Sequence, residues 1–172
     1  ESLTIPMKAL QATCKDIFVA GLSFGGTLAQ YAATAYGPAG IITISAPITF
    51  HNWRIMQAGK LAWLIKETKR ELKEDENPYY YDVIPSKQLG EMAILIKKVK
   101  KELPTIETPI LILQSKQDAR AKPSSASYIH DNIGSENKKL IIYETGKHVL
   151  TRDPINTTVA KDVYQFIQEV SS

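Results

Sequence analysis

Cysteine occurs once in the 172 residues, at Cys14. One thiol excludes an internal disulfide framework and leaves no partner at metal-binding spacing. No apolar run is long enough to cross a bilayer, and no secretory-leader pattern opens the chain. Those absences point to a reducing, cytoplasmic setting without stable membrane insertion. Charge of one sign is also scarce in excess: 21 Lys and Arg against 18 Asp and Glu leave +3, which argues neither for nor against an acidic partner. The one basic cluster, Lys97-Lys98-Val99-Lys100-Lys101, has no aromatic or arginine-rich neighbours. It reads as a solvated face near a helix C-terminus, where the dipole favours cations, and no nucleic acid is expected as a partner. Nothing in the sequence calls for a metal ion or a cofactor.

What is present is an alternation of apolar β-prone runs and helical stretches. Asp16 to Ala20, Gly40 to Ser45, Pro109 to Gln114 and Lys139 to Tyr143 read as four buried strands. Helices are expected over Ser2–Ala12, Thr27–Tyr36 (closed by Gly37-Pro38), Pro123–Ile133 and Pro154–Val170. Strands alternating with helices imply a parallel sheet with helices on its faces. The stretch from Thr49 to Leu103 differs, with no strand-like run. Trp53, Met56, Leu61 and Leu64 recur at helical spacing before a charged run from Lys66 to Glu76 that ends at Asn77-Pro78. Ser86 to Leu103 is a second amphipathic helix striped by Leu89, Met92, Ile96 and Val99. The expected division is therefore a core segment at 1–48, a helical cap insertion at 49–104 and a second core segment at 105–172.

Gly21-Leu22-Ser23-Phe24-Gly25 lies between a strand and a helix, the setting of a nucleophile elbow. A tight turn there lifts the serine oxygen above the sheet edge, and small flanking residues let strand and helix approach closely. A serine nucleophile needs a base, and the base needs an orienting carboxylate. Asp118 follows the third strand in Ser115-Lys116-Gln117-Asp118, and His148 follows the fourth in Thr145-Gly146-Lys147-His148. Parallel strands end at one edge, so Ser23, Asp118 and His148 can meet there. Asp153 is a competing acid, but it precedes Pro154 and reads as a helix-start residue. His130 falls inside a helix and reads as structural; His51 opens the insertion. Trp53, Met56, Trp63 and Tyr79 to Tyr81 read as cap core, with Trp53 or Met56 as candidate acyl-chain contacts.

Phe18-Val19-Ala20-Gly21-Leu22-Ser23-Phe24-Gly25-Gly26 resembles the elbow of bacterial carboxylesterases and monoacylglycerol lipases. Ile44-Ser45-Ala46-Pro47 and Gly146-Lys147-His148-Val149 look similar as well. The resemblance implies an α/β-hydrolase fold with a helical cap, Ser23 as nucleophile, Asp118 as acid, His148 as base, and the backbone N–H of Phe24 in the oxyanion hole. It also implies a strand-rich N-terminal part with a His-Gly loop, which nothing here matches. Glu1 in place of a start methionine points the same way, and a partial fold lacking those strands is expected. The expected activity is hydrolysis of small-molecule carboxylic esters of short or medium acyl chain, monoacylglycerols among them, with a thioester or amide substrate as a variant. Lacking the second oxyanion donor, this chain alone is expected to turn over poorly. The rival expectation is a non-catalytic piece that forms a homodimer, or pairs with a missing N-terminal segment, through an exposed sheet edge.

Overall fold

The computed structural model describes residues 3–49, 67–69, 81 and 83–171. Its frame is a four-stranded, all-parallel sheet. The strands are β1 (Phe18–Leu22), β2 (Gly40–Ile44), β5 (Ile110–Ser115) and β6 (Lys138–Tyr143), in the spatial order β1-β2-β5-β6. Among the described residues five α-helices accompany it: α1 (Thr4–Gln11), α2 (Phe24–Tyr36), α3 (Ser86–Glu102), α4 (Ser124–Asn132) and α5 (Asn156–Val170).

The central strands β2 and β5 are buried along their whole length. Helices cover both faces, so such strands carry apolar side chains on both sides and read as continuous runs. Successive residues alternate between two cores. Ile41, Ile110 and Ile112 pack with Ala33 of α2, Val99 of α3 and Ile129 of α4. Ile42, Ile44, Leu111 and Leu113 pack on the other side with Val159 and Phe166 of α5. Each large aliphatic side chain buried this way contributes roughly 1.5–3 kcal/mol. The register Leu22↔Ile44↔Leu113↔Ile141 brings all four strands to their C-terminal ends together. The loops after β1, β5 and β6 therefore share one rim.

Two expectations are corrected. Strand β1 runs past its expected end at Ala20, and α2 starts before the expected Thr27. The strand runs to Leu22 and α2 begins at Phe24, so Ser23 alone makes the reversal. The 49–104 segment also holds a short antiparallel pair, β3 (Glu67–Lys69) with β4 (Val83–Pro85), in the register Thr68↔Ile84. Val83 and Ile84 are β-branched, and Pro85 needs no ladder donor at a strand end. This pair interrupts the expected helical character of the charged run. The Ser86–Leu103 helix is found as α3, with Leu89, Ile96 and Val99 buried. His51, Trp53, Met56, Leu61, Trp63, Leu64, Tyr79 and Tyr80 lie outside the described residues, while Tyr81 is exposed.

Candidate active site

Ser23 stands at φ 54°, ψ −123°, a conformation that a side-chain-bearing residue holds at a cost of about 1–3 kcal/mol. It is held there from both sides. Its N–H donates to the Ile44 carbonyl at 2.7 Å, and its carbonyl accepts from Gly26 N–H at 2.9 Å. Phe24, the first residue of α2, has no acceptor for its N–H inside the helix. The positive end of α2 therefore starts directly beside Ser23, at the C-terminal end of β1.

Close approach of strand and helix rests on two glycines, and the second is not the one the motif spacing suggests. A Cβ on Gly21 would lie 2.0 Å from the Gly25 carbonyl oxygen, and one on Gly26 would lie 2.7 Å from the Ala46 Cβ. A Cβ on Gly25 meets nothing within 4 Å among the described residues. Gly21→Ala is therefore expected to cost at least about 3 kcal/mol and to lose the elbow. Gly25→Ala is expected to stay within about 1 kcal/mol of the parent, with alanine favoured by helix propensity. Thermal melts of the two variants check this.

Asp118 and His148 reach Ser23 from the neighbouring loops. His148 Nε2 lies 2.9 Å from Ser23 Oγ, and Nδ1 lies 2.8 Å from Asp118 Oδ2 and 3.0 Å from Oδ1. The Asp118 side chain is fully buried and that of His148 is 12% exposed. Asp118 Oδ1 also accepts the N–H groups of Arg120 at 2.8 Å and Ala121 at 3.0 Å, and Oδ2 accepts Gln114 Nε2 at 2.9 Å. Burial by itself pushes this carboxyl up. The His148 hydrogen bond and charge, with the Arg120 N–H and the Gln114 amide, outweigh it and hold the carboxyl below its ordinary value. It is an anion at neutral pH. With the carboxylate accepting from Nδ1–H, Nε2 is left as the acceptor facing the serine hydroxyl.

The loop that carries His148 is pinned on both sides. Ser115 Oγ donates to the Gly146 carbonyl, and Asp153 Oδ2 accepts Lys147 N–H at 2.8 Å. Gly146 sits at φ +109°, and a Cβ there would press on Leu150 at 2.8 Å and Ile155 at 3.0 Å. The Asp153 carboxylate braces this loop and accepts weakly from Ile155 N–H at 3.5 Å, just before α5. His130 pairs with its neighbour Asp131 on α4 at 3.1 Å. Sequence reasoning missed Gln114 and Ser115. The available signal was a polar Gln-Ser pair ending an otherwise apolar strand.

Tyr143, the last residue of β6, donates its hydroxyl to Asp162 of α5 at 2.5 Å. Burial, then that bond and the Asp162 charge, push the phenol well above its ordinary value. A raised phenol contributes stability that is complete below about pH 10, the unfolded value, and is lost as pH rises through the folded one. Tyr143→Phe is expected to cost about 1 kcal/mol near neutral pH and to remove that alkaline dependence, as melts across pH would show.

Among the described residues no group of three or more His, Cys, Asp and Glu is placed to hold a metal ion, and no helix is long and apolar enough to cross a membrane. Comparison with known proteins adds the family. Residues 48–155 match the Hydrolase_4 model, described as serine aminopeptidase, S33. The chain belongs to this α/β-hydrolase family. It is 26% identical over 160 residues to a carboxylesterase of Bacillus subtilis (strain 168), covering 91% of this chain and 65% of that protein. It is 31% identical over 148 residues to a thermostable monoacylglycerol lipase of Bacillus sp. (strain H-257), covering 84% and 59%. The chain thus spans about three fifths of the length of these relatives. Among solved structures it is similar, with TM-score 0.87 and 25% identity, to one from work on two metagenome-derived lipolytic enzymes, covering 97% of this chain and 71% of that one.

Proposed function

We propose that this hydrolase chain carries the triad of a serine esterase acting on carboxylic esters of short or medium acyl chain, monoacylglycerols among them. The observation that supports the reading is the unbroken hydrogen-bond chain Ser23 Oγ–His148 Nε2, His148 Nδ1–Asp118. His148 takes the hydroxyl proton as Ser23 Oγ attacks the ester carbonyl, and the Asp118 anion stabilises the imidazolium that forms. The Phe24 N–H donates to the oxyanion, a contribution of about 10²–10³ per donor in such sites. His148 then gives its proton to the departing alcohol oxygen and leaves an acyl group on Ser23. Water, deprotonated by the same nitrogen, releases the acid and restores the hydroxyl.

The relatives named as carboxylesterase and monoacylglycerol lipase favour an ester, whereas the family description names an aminopeptidase. A panel of p-nitrophenyl esters, monoacylglycerols and aminoacyl p-nitroanilides separates the two. The expected result is slow hydrolysis of short and medium esters above the Ser23→Ala background, with the anilides untouched. Anilide cleavage that outruns ester cleavage sinks the ester assignment.

A further inference from the structure

Gln114, next to last in β5, is wholly buried, yet only part of its side chain is paired. Nε2 donates to Asp118 Oδ2 at 2.9 Å and to the Ser115 carbonyl at 3.2 Å. Oε1 is buried and, among the described residues, has no hydrogen-bond partner. An orphaned amide oxygen in a core is destabilising, and an aliphatic side chain like those of Ile112 and Leu113 would avoid it. Turning the amide over gains nothing, because it sets Oε1 against Oδ2, two acceptors face to face. What this residue supplies that an aliphatic one does not is an N–H aimed at the Asp118 carboxylate.

That oxygen is also the nearer acceptor of His148 Nδ1, at 2.8 Å against 3.0 Å for Oδ1. Oδ1 is already fixed by the Arg120 and Ala121 N–H groups. The Gln114 N–H adds a donor on Oδ2 itself, the oxygen that faces the imidazole. We propose that Gln114 is a positioning residue, whose amide N–H locks the Asp118 carboxylate so that Oδ2 stays in line with His148 Nδ1. This rests on reading Asp118 and His148 as acid and base. The amide acts through Asp118 and touches neither substrate nor the reacting atoms. Such placement matters because small misalignments of a base are magnified in rate.

The test uses the full chain in two variants. Gln114→Met keeps side-chain length without the N–H, and Gln114→Glu keeps shape but sets a second carboxylate against Oδ2. The readouts are the low-field imidazole N–H proton resonance of His148, the rate of phosphonylation by a fluorophosphonate, and kcat and KM for a p-nitrophenyl ester. In both variants the resonance is expected to move upfield and broaden. Phosphonylation and kcat are expected to fall roughly tenfold with KM unchanged. If Gln114→Met does not fold, Gln114→Glu decides. A wild-type resonance and wild-type kcat in the folded variants overturn the proposal. A parent chain with neither the low-field resonance nor phosphonylation defeats instead the acid–base reading beneath it, and the proposal with it.

Discussion

Replacing Ser23 by alanine is expected to lower ester turnover by about 10⁵–10⁶ or to the uncatalysed background, whichever is reached first. His148→Ala is expected to fall to the same floor, and the double variant no lower. In the proposed mechanism the reason is the shared proton: without the 2.9 Å contact between Oγ and Nε2 the hydroxyl has no base, and without the hydroxyl the base has nothing to activate. Residues that act as one unit do not add. Stability should move independently of activity. Ser23 occupies a positive-φ turn that strains any side chain, so Ser23→Gly should melt above Ser23→Ala while both are inactive. Steady-state rates and melting curves of the four variants check both halves.

Asp118→Asn is the second large effect, expected at about 10³–10⁴ in kcat. The surroundings dictate how the new amide turns. The Arg120 and Ala121 N–H groups, both on Oδ1, demand an acceptor, so the single amide oxygen stays there. The amide NH₂ then faces His148 Nδ1 and Gln114 Nε2. Nδ1 must become the acceptor, the ring proton moves to Nε2, and the nitrogen facing Ser23 no longer accepts a proton. The variant also changes acid stability. The Asp118 carboxyl is held below its ordinary value, so it adds stability above about pH 4 that is lost as pH falls through the folded value. The asparagine variant should lack that part of the acid dependence. Rates at neutral pH and unfolding midpoints between neutral and acid pH measure the two consequences.

Much of the frame is written in composition. Ile41-Ile42-Thr43-Ile44 and Ile110-Leu111-Ile112-Leu113 read as strands because burial on both faces leaves no room for alternation. That Ser23, Asp118 and His148 can meet is legible for a related reason, since each follows a strand and parallel strands end together. The start of α2 was not. Phe24-Gly25-Gly26 has poor helix propensity, and the helix begins there because the single-residue turn at Ser23 and the packing of Gly26 on Ala46 impose it. Three-residue strands such as β3 and β4 are too short to show a period. Gln114 and Ser115 were hidden because a polar strand end gains meaning only when the loops above it are known. Ser115 turns out to grip Gly146, and Gln114 to grip Asp118. Asp153 lies just before a helix as its Pro154 neighbour suggests, but its stronger bond goes to the His148 loop.

In the proposed mechanism one hydroxyl, that of Ser23, is made nucleophilic by one imidazole, that of His148. Intact-mass analysis and peptide mapping after fluorophosphonate treatment at neutral pH address it without requiring turnover. A single adduct per chain is expected, on the peptide that contains Ser23, and none when His148 is alanine. An adduct on another residue, or equally fast modification of Ser23 in the absence of the imidazole, would rule out His148 as the activating base.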